Sequence, residues 1–401
     1  MTAERTVEVS IKDLDPLALS AMEDPYPMLR TMRESCPVGH SDIHGGFWNL
    51  FRYRDVCAAA VDAKTFSSSD VTIPSEPLLA KPAPLMIDPP THMNYRHPLL
   101  RKFTPQVLAG TEPAIRAKVT EMTDAFIERG SADLTEELFV PFPAFAALQL
   151  LGLPESDFPS FSRWARLAFT IPEESSEDAK WELEVAMYFA PLYEQLAGSD
   201  GDDIPSIARR MIIDGREIEV MEFVMLLTTL VAAGLDTTTN ASANIAVLLD
   251  EQPDLRQQLI ERPELIPTAV EEMLRYLTPL PMLARITTRD VEVDGVTIPE
   301  GEKVALQWLA ANHDPEEFPE PDKVVLDRSP NRHLAFGMGP HRCIGMHLAR
   351  IEVRVVLEEL LTRLPDYRVL RDEVMRGPGV TRQIYSLPVT FTAGPRSATH
   401  G

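Results

Sequence analysis

The chain is poor in cysteine. Three residues, Cys36, Cys57 and Cys343, in a length of 401 are too few and odd in number for a disulfide framework. No Cys-x-x-Cys pair is present, which argues against a zinc ribbon. Positive charge is also scarce: 38 Lys and Arg stand against 61 Asp and Glu, a net charge of −23. Phosphate backbones need local positive charge, so no nucleic acid is expected as a partner. The opening stretch, MTAERTVEVSIKDLDPLALS, is charged throughout and has neither the apolar run of a signal peptide nor a membrane anchor. A cytoplasmic protein that does not engage a membrane is expected. There is no repeat, low-complexity tract or dividing linker, so a single domain is expected over residues 1–401.

Proline is abundant, with 35 residues, yet none falls between Ser206 and Gln252. Within that run Val220, Val224, Leu227 and Val231 recur at helical spacing. One long helix is predicted from about Glu217 to about Asp250, apolar on all sides and therefore central. Further helices are predicted at 55–63, 91–103, 112–129, 136–151, 160–169, 177–196, 253–261, 264–276 and 345–364. Short strands are expected at 47–50, 291–293, 297–298, 303–307 and 389–392. Asp294-Gly295 and Glu300-Gly301 are read as hairpin turns. The fold class is mainly α with small β-sheets. Residues 71–90, proline-rich and apolar, form a loop long enough to be a functional lid.

The most informative segment is Phe336-Gly337-Met338-Gly339-Pro340-His341-Arg342-Cys343-Ile344-Gly345. A single cysteine lies just before a predicted helix, where free N–H groups and the helix dipole favour a thiolate. Gly337 and Gly339 permit a sharp turn. Gly345 removes a side chain where a flat macrocycle would approach, and His341 can reach an acidic group of the ligand. A lone cysteine is more often a buried small hydrophobe, but six features of one pattern coincide here. A haem iron is the most economical partner.

The loop resembles the haem-thiolate signature of the cytochromes P-450, whose proximal cysteine pushes electron density onto iron. The resemblance extends from about Asp24 to Thr392, with motifs in the family's order. It implies the cytochrome P-450 fold, with the long central helix over the haem, and haem b as cofactor, with Cys343 its metal ligand. Ala233-Gly234-Leu235-Asp236-Thr237-Thr238 resembles the family's distal oxygen-activation motif, which implies Asp236 as proton carrier and Thr237 as the hydroxyl that serves dioxygen. Ala233, Gly234, Phe336, Gly337 and Gly345 would lie against the ring. His92 and Arg96, four apart on one helix face, together with Arg285 and His341, would bind the propionates. Glu272 and Arg275 resemble the family's structural Glu-x-x-Arg pair, completed by Arg328. Two departures stand out. Pro98 falls inside the helix carrying His92 and Arg96, where it removes a hydrogen bond, and His313 stands where many members carry arginine.

The resemblance further implies a monooxygenase that hydroxylates or epoxidises a small hydrophobic substrate with O2 and two electrons from a separate ferredoxin system. Arg342, Arg350 and Arg354, with Arg101 and Lys102, are candidates for a basic docking patch. Candidate pocket residues are Val71, Ile73, Leu78, Leu79, Phe169, Leu230, Pro281, Met282 and Ile384. A monomer is expected. The rival readings are a peroxygenase or another haem-thiolate enzyme of altered chemistry, and a haem-free auxiliary relative. The intact Asp236-Thr237 pair argues against the first and Cys343 against the second.

Overall fold

The structure is a computed structural model that describes residues 10–75, 81–168 and 178–397. In chain order the elements are α1 (Pro16–Ala21), α2 (Tyr26–Ser35), β1 (Val38–Ser41), β2 (Phe47–Leu50), α3 (Tyr53–Val61), β3 (Phe66–Ser67), α4 (Thr91–Leu99), α5 (Pro105–Leu108), α6 (Glu112–Phe126) and β4 (Ser131–Asp133). They continue with α7 (Pro141–Leu151), α8 (Phe158–Ala168), α9 (Asp178–Gln195), α10 (Ile204–Arg209), β5 (Ile212–Ile213), β6 (Arg216–Glu217), α11 (Val220–Glu251), α12 (Pro253–Glu261) and α13 (Ile266–Leu277). The rest are β7 (Leu283–Thr287), β8 (Val291–Val293), β9 (Val296–Ile298), β10 (Lys303–Leu306), α14 (Trp308–Ala311), α15 (Met346–Arg363), β11 (Arg368–Val369), β12 (Met375–Gly377), β13 (Gln383–Ser386) and β14 (Pro388–Thr390).

Helix α11 organises the molecule. Glu219 and Glu222 close a reciprocal capping box at its start, and Pro253 opens the next helix just past its end. Without proline to break it, α11 runs through the core and packs against α7, α9 and α15. Phe223, Leu226, Leu227, Leu235, Ala243, Ala246 and Leu249 are fully buried along it. By length and hydropathy it is the one described helix that could cross a membrane; in this fold it is core.

The largest sheet has the order β1-β2-β10-β7-β3, with β2 and β10 parallel and the other neighbours antiparallel. A three-stranded sheet has the order β11-β14-β4, and β5-β6, β8-β9 and β12-β13 pair as separate ribbons.

Several boundaries differ from the sequence reading, each for a local reason. The predicted helix over 91–103 ends at Leu99 and tightens to a 3-10 turn at Leu100–Phe103, because Pro98 supplies no N–H to the α-ladder. The one over 136–151 splits into a π-turn at Thr135–Phe139, closed by Val140 N–H on the Thr135 carbonyl at 2.9 Å, and α7 beyond Pro141. The long helix starts at Val220, since Arg216–Glu217 pair in a ribbon. Asp294-Gly295, both at positive φ, closes the β8-β9 hairpin. Glu300-Gly301 does not close one: β10 already has β2 and β7 on its two edges, so the turn passes from one sheet to another.

The lid candidate is tied at both ends. Lys303 Nζ donates to Asp70 Oδ2 (2.7 Å), the Thr72 carbonyl (2.7 Å) and Ser75 Oγ (2.6 Å). Asp88 accepts from the Ser68 amide at 2.7 Å and from the Ser67 hydroxyl.

Candidate active site

The cysteine loop is closed by backbone hydrogen bonds. Cys343 N–H donates to the Phe336 carbonyl at 2.8 Å, and Gly337 N–H to the Leu334 carbonyl at 2.9 Å. Gly337 (φ 65°) and Gly339 (φ 75°) occupy left-handed conformations. At Gly339 a Cβ would sit 2.3 Å from the Ala60 carbonyl oxygen, so the loop rests backbone to backbone on α3. At Gly337 a Cβ would meet nothing within 4 Å. Gly345 is the N-cap of α15, and its N–H donates to the Cys343 sulfur. Enclosure by protein pushes the thiol up; that hydrogen bond and then Arg96, Arg350 and Arg342 pull it back towards the thiolate. Cys343 is exposed although the protein surrounds it.

Around this thiol four basic side chains converge. The His92 and His341 rings lie 4.3 Å apart. Both nitrogens of His92 and Nε2 of His341 are buried without a hydrogen-bond partner. Burial holds His92 down to about 4 and His341 down to about 3, with the charges of Arg285 and Arg96 adding to the effect on His341. Arg285 on β7 is 4% exposed, donates to the Ala284 carbonyl at 2.7 Å, and is lowered by burial to about 10 with Asp88 opposing. Arg96, one turn past His92 on α4, donates to the Arg342 carbonyl. Two guanidinium cations beside two unpartnered neutral imidazoles are costly unless they receive anionic acceptors.

On α11 the sequence Ala233–Thr237 interrupts an otherwise buried helix. Ala233 is exposed, and Gly234, Asp236 and Thr237 are partly so. A Cβ on Gly234 would meet nothing within 4 Å. Thr237 Oγ1 donates to the Ala233 carbonyl at 2.8 Å. Asp236 turns to the β12-β13 ribbon: it accepts from Thr381 Oγ1 (2.7 Å), Asn240 Nδ2 (3.0 Å) and Gln383 Nε2 (3.3 Å). Although part of the residue stays accessible, the protein surrounding its carboxyl pushes it up to about 6, and those three donors restrain the rise.

The remaining candidates separate into groups. Glu272, Arg275 and Arg328 meet: Arg275 donates to Glu272 at 2.8 and 2.9 Å, Arg328 Nε at 2.9 and 3.0 Å, and both Glu272 and Arg275 are wholly buried. Val71, Ile73, Pro281 and Met282 line one narrow cleft beside β7. Leu230 packs on the core cluster of α9 and α11, while Ile384 is buried apart from the cleft among residues of α6, α7 and α15. Leu78, Leu79 and Phe169 lie outside the described residues. The basic patch is largely answered by acids: Arg350 pairs with Glu271 (2.6 Å), Arg354 with Glu112 (2.6 Å), and Arg101 and Lys102 both with Asp202 (2.6 Å each). His313, the departure noted above, is buried against Tyr26 and Tyr276 and hydrogen-bonds the Tyr276 carbonyl (2.9 Å) and Asp322 (3.1 Å). A surface groove of about 610 Å³ lined by Met93, His97 and Arg101 lies on the face of α4 away from His92 and Arg96.

Sequence reasoning missed the partners of Asp236, because Thr381 and Gln383 lie 145 and 147 residues away. It also missed Glu352 on α15, a buried carboxyl whose oxygen accepts from Thr238 at 3.2 Å and which burial raises to about 8. No local pattern marks either.

The donor set fits haem. Two unpartnered imidazoles and two guanidiniums suit a pair of carboxylates, and an accessible thiol at a helix N-terminus suits iron. Comparison with known proteins agrees. The family model described as Cytochrome P450 matches residues 206–365. Cytochrome P450 130 of Mycobacterium tuberculosis (strain H37Rv) is 34% identical over 388 residues, covering 92% of this chain and 96% of its own. Erythromycin C-12 hydroxylase of Saccharopolyspora erythraea is 35% identical over 384 residues, covering 92% and 95%. The solved structure of cytochrome P450 CYP109Q5 from Chondromyces apiculatus superposes with a TM-score of 0.86 at 31% identity, over 96% of this chain and 100% of that one. With that identity along nearly its whole length, the chain belongs to the cytochrome P450 family of haem-thiolate monooxygenases.

Proposed function

We propose that this enzyme hydroxylates or epoxidises a small hydrophobic substrate in the cytoplasm, as a monomer, with O2 and two electrons from a separate ferredoxin and reductase. The observation that carries the reading is the Cys343 sulfur, accessible inside the protein and hydrogen-bonded by Gly345 N–H beside four convergent bases. Cys343 would ligate the haem iron, and His92, Arg96, Arg285 and His341 would hold the propionates. Phe336, Gly337, Gly345, Ala233 and Gly234 border the ring. Bound haem supplies the redox chemistry by which one oxygen atom of O2 enters the substrate and the other leaves as water.

The protein's own part is positioning and proton supply. Asp236, raised by burial towards the working pH, is suited both to hold and to release a proton. The Thr237 hydroxyl donates to the Ala233 carbonyl one turn back on the unbroken helix α11, beside the exposed Ala233. Val71, Ile73, Pro281 and Met282 line a narrow apolar cleft, and Leu230 lies apart from it on α11, side chains whose chemistry suits an apolar substrate. Beyond Cys343 these 401 residues include only Cys36 and Cys57, too few to ligate an iron–sulfur cluster.

The test is the reduced-plus-CO spectrum of the purified protein. Wild type shows the red-shifted band of a thiolate-ligated haem, and Cys343→Ser loses it. Retention of that band in the variant removes Cys343 from the metal.

A further inference from the structure

The carboxyl of Asp236 has hydrogen-bond partners from its own helix and from a ribbon far along the chain, and the direction of each bond can be worked out. Ile384 N–H donates to Asn240 Oδ1 at 3.0 Å, which fixes the Asn240 amide with its nitrogen towards Asp236 and Thr381. Asn240 Nδ2 donates to Thr381 Oγ1 at 2.8 Å. The Thr381 hydroxyl is thereby an acceptor from Asn240, and its own proton goes to Asp236 Oδ2 at 2.7 Å. Thr381, 1% exposed, is thus a fixed donor that favours the ionised acid. Gln383 is different. Its Nε2 donates to Asp236 Oδ1 at 3.3 Å, while its Oε1 is buried without a partner. Turned over, that amide presents an acceptor to a protonated Asp236.

None of these partners carries a charge. The charged groups on the elements packed around Asp236 are engaged elsewhere. On the ribbon, Arg376 lies 3.4 Å from Asn244 Oδ1, and Arg382 donates to Tyr26 Oη at 2.9 Å and to the Leu277 carbonyl at 3.3 Å. In the 135–139 turn, Glu136 pairs with Arg166 and Glu137 with Arg129. On α15, Glu352 accepts from Thr238. An acid held only by neutral groups has no fixed countercharge to keep it ionised, and its proton affinity is set by how many donors reach it.

We propose that Thr381 and Gln383 are positioning residues for proton delivery, Thr381 as the fixed donor that keeps Asp236 able to release its proton, and Gln383 as the reversible partner that serves both of its protonation states. This rests on Asp236 being the proton carrier. It extends the reaction machinery to the β12-β13 ribbon, which the loop and helix motifs do not include.

The experiment is infrared titration of the protonated-carboxyl stretch in the holoenzyme, with the wild-type-minus-Asp236→Asn difference isolating the band of Asp236. Thr381→Val keeps the shape and removes the donor; its midpoint is expected about one pH unit above wild type, tenfold in proton affinity. Thr381→Ser restores the wild-type midpoint. Gln383→Leu, which removes a partner of both protonation states, leaves the midpoint near the wild-type value but shifts the frequency of the protonated-carboxyl stretch, because the acid loses its hydrogen-bond acceptor. A Thr381→Val midpoint that coincides with wild type overturns the assignment of Thr381, and a Gln383→Leu stretch at the wild-type frequency overturns that of Gln383; because the two are read separately, failure of one variant to fold leaves the other decisive. Product formation by Asp236→Asn is measured alongside. If it equals wild type, the proton-carrier role of Asp236 fails, whereas the midpoints still report whether the ribbon governs the carboxyl.

Discussion

The side of the molecule that carries Cys343 and the stretch of α11 around Asp236 are held by opposite kinds of chemistry. Behind the cysteine loop, charges are buried and paired: Glu272 with Arg275 and Arg328, and Glu271 with Arg350, whose guanidinium lies 4.6 Å from the centre of the Phe336 ring. Around Asp236 every partner is a neutral hydroxyl or amide. Ion pairs in a dry interior are rigid, because separating them strands a charge. Neutral amides and hydroxyls can donate or accept, so they tolerate a neighbour that gains and loses a proton. Rigidity lies beside the proposed cofactor site, and adaptability lies around the proposed proton carrier.

The largest effect is expected from breaking the rigid side. Arg275→Met leaves Glu272 buried with a single guanidinium partner and takes their Arg275 donor from the Asn312 and Pro321 carbonyls, the Lys323 carbonyl keeping Arg328. A loss of about 3–5 kcal/mol in urea unfolding is expected, with poor recovery of haem-loaded protein. A smaller loss is expected for Arg285→Leu: haem dissociates roughly 10- to 100-fold faster, measured by transfer to apomyoglobin, as one charge-assisted contact to a propionate disappears.

The smallest effect sharpens the comparison from the adaptable side. Glu352 is raised by burial from 4.5 to about 8, so between those values the folded protein binds a proton that the unfolded chain releases. Stability from this group is complete below about 4.5 and is lost as pH rises towards 8. Glu352→Gln has no such loss and still accepts from Thr238. Its stability relative to wild type should therefore grow with pH, reaching on the order of 1–2 kcal/mol at pH 8 in denaturant melts. A difference that stays flat from pH 5 to pH 8 would show that Glu352 is not the buried acid described.

These predictions draw unequally on the sequence. The cysteine loop was legible because its chemistry is contiguous: within ten residues lie the thiol, the glycines that turn the chain and the histidine beside it. Glu272 and Arg275 were legible as neighbours on one helix face, and the long helix as a run without proline. The Asp236 partners were not, because Thr381 reaches the acid only through the pairing of a short ribbon whose strands carry no strong pattern. Pro98 announced a break, but whether the chain kinks or tightens to a 3-10 turn depends on the carbonyls left free. The split at Pro141 was overlooked because a proline at the first helical position reads as easily as a continuation.

Gly339 gives the cysteine loop a depth stop. Its backbone rests on the Ala60 carbonyl at a spacing that admits no side chain, so α3, which supplies no ligand or base, limits how far the loop that carries Cys343 can settle. With haem bound, the position of the thiolate would thus be set partly from a helix outside the motif. Substitutions that displace the end of α3 should be read first in the reduction potential of the haem, before any change in what the enzyme binds.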